Sequence, residues 1–172
     1  MGTLIATTVQ ADTLATTAGV EQARLVQVQF IRNTTHSSGT TAIANDTSVP
    51  EIDEGDQILV DTITPTHASN ILKVDVSVPN VSHGGAVELC IALFQDSITN
   101  ALQSSAAYLA HATNHVHGGL TLIHIMEAGT TSSISFQVRA GGTSGTMYIN
   151  GTNTAVHGAA ANSTMTISEY RA

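Results

Sequence analysis

Eight of the 172 residues are histidine. Four of them, His111, His115, His117 and His124, lie close together in the chain. In an extended segment His115 and His117 project from the same face, and paired imidazoles suit first-row metal ions. The Gly118-Gly119 pair that follows argues instead for a loop tip facing water, where histidines serve only a surface. A second cluster is the acidic run Glu51, Asp53, Glu54 and Asp56. Hard cations such as calcium favour grouped carboxylates, but this run lacks the ligand order of an EF-hand, and a solvated acidic turn accounts for it better. The single cysteine, Cys90, excludes an intramolecular disulfide. It sits in an apolar strand pattern, where a small buried residue is expected and a nucleophile is not. Serines are plentiful, yet no G-x-S-x-G and no Ser-His-Asp spacing occurs. The expectation is a protein that is not an enzyme and holds no cofactor, unless a metal binds at His115 and His117.

A glycan site is a further option, because sugars stack on aromatic rings within polar surroundings. The aromatics are three Phe and three Tyr with no Trp. Phe30, Phe94 and Phe136 follow core or interface patterns, which leaves Tyr108 and Tyr148 as candidate platforms. Charged residues make up only 10% of the chain, and the net charge is −8. No basic cluster exists, so the electrostatic footprint of a nucleic-acid binder is missing. No apolar run approaches a membrane span, and membrane insertion is not expected. The N-terminus also lacks the basic and apolar segments of a signal peptide.

The elements that must position these residues read as strands. Residues 1–22 carry too little apolar content for a core. Leu4, Ile5, Val9 and Leu14 are spaced for an extended anchoring arm that orders on a neighbouring subunit or larger assembly; a frayed terminus is the plain alternative. Residues 23–172 form the domain. Period-two alternation marks strands from Arg24, from Gln57 to Thr64, from Asn70 to Val78, from Val87 to Asp96 and from Ser163 to Tyr170. Pro79-Asn80 is expected to end the third of these. Residues 98–112 fit either a helix or a loop followed by a strand at Ala106 to Ala112. Leu120 to Gly142 reads as a hairpin, two strands joined through the turn at Gly129. Eight to ten short strands with regular turn signals predict an all-β antiparallel sandwich or jelly roll.

Two of these strands are apolar on both faces. In the Val87 strand the second face is Cys90, Ala92 and Phe94; in the Leu120 strand it is Ile123 and Ile125. These five residues are expected at an interface between copies of the chain, because a second apolar face needs cover beyond its own core.

Three segments, GDQILVDTITPTHASNIL, CIALFQDSITNAL and EAGTTSSISFQVRAGG, resemble small proteins of tailed bacteriophages, above all those of marine bacteria. Glu54-Gly55, Thr62 to Asn70, Ala92 to Ser97 and Ala128 to Gly142 carry the patterns, and the likeness covers about Arg24 to Ala172. The chain departs from it at His67, where serine is usual, and between Ala110 and Gly119. The resemblance implies a jelly roll similar in outline to C1q-like and tumour-necrosis-factor-like trimers, located in the virion as a capsid decoration (cement) protein or a tail-fibre module. Its partners would be two further copies and the capsid or tail proteins, with a host surface glycan for a receptor-binding head. A trimer would place six imidazoles of His115 and His117 around its axis, and phage fibres do hold iron through H-x-H segments.

Overall fold

The computed structural model describes residues 24–85, 87–109 and 116–172. The anchoring arm expected at Leu4, Ile5, Val9 and Leu14, together with His111 and His115, lies outside the described residues. Ten strands follow in order: β1 (Arg24–Asn33), β2 (Ser37–Gly39), β3 (Asp56–Ile63), β4 (Ile71–His83), β5 (Val87–Gln95), β6 (Gln103–Leu109), β7 (Val116–Glu127), β8 (Ile134–Gly142), β9 (Met147–Ile149) and β10 (Ser163–Arg171). They form two antiparallel sheets. In the first, β4 lies between β10 and β7; β1 borders β10 on its far side, and the short β9 and β2 continue the sheet past the end of β10. The second has the order β3-β8-β5-β6. The long strands nest: β1 pairs with β10, β3 with β8, β4 with β7 and β5 with β6.

The alternation in β4 has the expected sense. Leu72, Val74, Val76 and Val78 are buried between the sheets, while Lys73, Asp75 and Ser77 face out. Pro79 does not end the strand, contrary to expectation. A bulge between Val78 and Val81 takes up the residue that cannot donate, and pairing to β7 resumes through His83. Beyond the bulge Val81, Ser82 and His83 are all buried, because β9 replaces β10 as the neighbour there.

The expected hairpin is corrected as well. β7 pairs with β4 in the first sheet, whereas β8 lies between β3 and β5 in the second. The intervening turn crosses the end of the sandwich. Its amides bond to another loop: Ala128 N donates to Asn70 O at 2.8 Å and Gly129 N to Ala68 O at 2.7 Å. Gly129 has φ +68°, a conformation that glycine adopts without penalty. The ambiguous 98–112 segment contains β6, which starts at Gln103, earlier than expected.

The main core lies between the sheets, with Phe136, Leu89, Ile91, Leu93 and Met165 fully buried. A second, smaller cluster lies on the outside of the β5 sheet. There Ala92 and Phe94, each 0% exposed, pack with Ile43, Ile52, Cys90 and Ala101. The chain itself therefore covers Ala92, Phe94 and most of Cys90, which were expected at an interface between copies. The covering segment is residues 40–55. Ile43 N donates to Gly142 O at 3.2 Å, Ile52 N to Thr99 O at 2.8 Å, and Ala101 N to Pro50 O at 2.9 Å. A β-carbon at Gly141 would stand 2.8 Å from Ile43 N and 2.8 Å from Thr41 O, so only glycine admits this approach.

Because Phe94 is core, Phe94→Ala should destabilise the fold by about 3–5 kcal/mol. Urea unfolding of the variant checks this. A change in oligomer mass with an unchanged unfolding midpoint would return Phe94 to an interface.

Candidate functional site

The outward face of the first sheet follows from its register. One row runs Phe30, Thr166, Asp75, Ile123, and the next runs Val28, Ser168, Lys73, Ile125. The alternation that sends Gln29 and Ile31 inward turns Val28 and Phe30 out, and the register of β7 does the same for Ile123 and Ile125. These four side chains are 45%, 61%, 57% and 61% exposed, respectively. Three strand spacings separate the two apolar borders, about 14 Å. Between them Lys73 Nζ lies 2.6 Å from Asp75 Oδ1, and this hydrogen bond raises the lysine pKa. The pair is solvent-exposed, and such pairs contribute little to stability by themselves. A depression of about 330 Å³ lies beside it, lined in part by Asp75, Ser77, Thr121, Ile123, Thr164 and Thr166. The arrangement suits contact with another macromolecule.

Of the residues expected to contact another copy, Ile123 and Ile125 are thus open, while Cys90, Ala92 and Phe94 lie in the opposite sheet. Val28 was not expected in this role, and Phe30 only as a core or interface residue. Their signal was present in the alternation from Leu25 to Phe30, where apolar and glutamine faces compete for the interior. The interior takes Gln27 because it has a partner there.

That partner is Glu169, a carboxylate with no exposed surface. It continues the inward phase of Met165 and Ile167. Gln27 Nε2 donates to Oε2 at 2.6 Å, and Oε1 accepts from Thr66 N at 2.8 Å, Thr66 Oγ1 at 2.8 Å and Asn70 Nδ2 at 2.6 Å. Burial pushes this carboxyl pKa up, but the hydrogen bonds from Asn70, Gln27 and Thr66 outweigh it and hold the pKa at about 2. The network ties β1, β10 and the loop before β4 together at one end of the sandwich.

His117 is exposed on β7. His124 is part-buried, on the same side of β7 as its partner Val74 is of β4, and burial lowers its pKa. Among the described residues no three His, Cys, Asp or Glu side chains come together as a metal site. In the acidic run, Glu54 accepts from Glu51 N at 2.7 Å and Ala44 N at 3.2 Å. Asp56 accepts from Thr41 N at 3.1 Å and Thr41 Oγ1 at 2.9 Å. Arg139 caps the segment by donating to the carbonyls of Glu54 and Gly55 at 2.8 and 2.7 Å. Burial pushes the Cys90 thiol up to about 11, which removes thiolate chemistry at neutral pH. Of the two tyrosines considered as sugar platforms, Tyr148 is stacked on His36 with ring centroids 6.3 Å apart, and Tyr108 is open on β6.

No protein-family model matches the chain. No curated protein matches it either. Among solved structures it is similar to the enzymatically active domain of bacteriophage CBA120 tailspike protein 4, at 13% identity and a TM-score of 0.27. The match covers 71% of this chain and 18% of that one. A likeness of this size carries no argument about function.

The Glu169 pKa is depressed below its unfolded value of 4.5, so its stabilisation is present above that pH and is lost as pH falls toward about 2. Glu169→Gln should be less stable at neutral pH and should show a flatter dependence through this window. Urea midpoints measured across it test the prediction; parallel wild-type and variant curves would reject it.

Proposed function

We propose that this chain is a structural, non-enzymatic protein of a bacteriophage virion: a homotrimeric jelly roll that decorates the capsid and is anchored by residues 1–22. The nested pairing supports the jelly roll. Counting the eight long strands in chain order, first pairs with last, second with seventh, third with sixth and fourth with fifth, as in an antiparallel ribbon folded over itself. The phage setting is supported by the resemblance carried by Thr62 to Asn70, Ala92 to Ser97 and Ala128 to Gly142.

Self-association is carried by one observation, the outward face of the first sheet with Val28, Phe30, Ile123 and Ile125 exposed. The second sheet has its outer apolar cluster closed by residues 40–55, so the open aliphatic rows belong to the first sheet. The occupant we assign to them is a second copy of the chain. Lys73 and Asp75, side by side between the apolar borders, offer both charges to the surface that the neighbouring copy presents and set the register of contact. The resemblance supplies the threefold, in which each copy presents one face and receives another. The arm then reaches the capsid from a rigid trimeric head.

Ile123→Lys combined with Ile125→Lys should convert the protein to monomers while leaving its melting temperature as monomer intact, measured by sedimentation velocity and calorimetry. Retention of the oligomer would discard this face as the interface. Deleting residues 1–22 should abolish binding to purified capsids without changing the oligomer. Full binding by the truncated protein would rule out anchoring by the arm.

A further inference from the structure

The Glu169 network forms one wall of a cavity of about 470 Å³ at the end of the sandwich, lined by Val26, Thr66, His67, Ser69, Asn70, Arg171 and Ala172. This is within the usual size range of small-ligand sites. Its polar groups are unequally satisfied. Glu169 has four donors and needs no further partner. The Arg171 guanidinium makes no hydrogen bond or ion pair among the described residues, although Glu169 stands two positions earlier on the same strand. His67 accepts the Ser69 amide at Nδ1, 3.2 Å away, which places its proton on Nε2. That Nε2–H has no acceptor among the described residues. Asn70 is 4% exposed; its Nδ2 donates to Thr66 Oγ1 and Glu169, and its Oδ1 receives no donor among the described residues.

Beside the Ala172 carboxylate and the Thr66 and Ser69 hydroxyls, the cavity therefore offers two donors without an acceptor among the described residues, one of them a permanent cation, and the buried Asn70 Oδ1 as an acceptor. Arg171 is the one lysine or arginine of the lining. A carboxylate meets the planar guanidinium through two parallel hydrogen bonds. The free Asn70 Oδ1 asks in addition for a ligand hydroxyl, which inorganic sulfate lacks at neutral pH. Val26 contributes an apolar wall for the C–H face of a ring.

We infer that this cavity binds a carboxylate-bearing saccharide of the uronate type, with its carboxylate on Arg171 and His67 and a hydroxyl on Asn70. The site shares no residue with the outward face of the first sheet, so it stands or falls independently of the assembly proposed above. The test is a calorimetric titration of the full chain with sodium glucuronate, methyl glucoside and sodium sulfate in turn. Glucuronate should bind more tightly than either control. Arg171→Gln should weaken glucuronate by about tenfold or more, as expected for loss of a charge-assisted pair, and Arg32→Gln, an equal change in net charge, should leave it unaltered. Matching melting curves establish that the Arg171 variant is folded. Sulfate binding as tightly as glucuronate, unchanged binding in the Arg171 variant, or no binding of glucuronate would each overturn the assignment.

Discussion

A strand that is apolar on both faces must be covered on both, and β5 imposes that demand on the whole chain. Its inner face, Leu89, Ile91 and Leu93, closes against the first sheet. Its outer face, Ala92 and Phe94, closes against Ile43. Several features follow from bringing residues 40–55 down onto that sheet. Gly141 has no side chain because the Ile43 backbone lies against it. Glu54 accepts from two backbone amides, Asp56 from the amide and the hydroxyl of Thr41, and Arg139 donates to two backbone carbonyls. An acidic run that resembles a cation site in one dimension is, in three, the fastening of a lid.

The same constraint decides which surface is left for partners. With the outer cluster of one sheet closed internally, the open aliphatic rows fall on the other, along Val28 with Ile125 and Phe30 with Ile123. Isolated exposed apolar side chains are ordinary, but four in two adjacent register rows around a central Lys73–Asp75 pair are a pattern. The chemistry-bearing groups point the same way. Cys90 is held protonated, Glu169 is saturated by donors, and His117 and His124 form no cluster among the described residues. We propose recognition and assembly as the function this arrangement serves.

How much of this was legible in the sequence depends on what periodicity encodes. Alternation reports which face of a strand is apolar, so β4, β8 and β10 could be read from Leu72 to Val78, Ile134 to Val138 and Met165 to Glu169. It does not report the neighbour. The Gly129 turn therefore reads as a hairpin whether its strands pair or separate; Ala68 and Asn70, sixty residues away in the chain, decide for separation by accepting its amides. The second apolar face of β5 announced a cover, which was expected from further copies of the chain; Ile43 supplies it instead, from a polar loop with no pattern of its own. Pro79 marked an irregularity, and the bulge that absorbs it needs β7 on the other side. Glu169 was in phase with the core, though a lone inward glutamate names none of its donors.

We propose that the outward face of the first sheet is completed by further copies of the chain. Light scattering coupled to size exclusion, on the full chain at micromolar concentration, tests it most directly. The account predicts a particle of three times the 17.8 kDa chain mass. A mass equal to one chain across the accessible concentration range would contradict it.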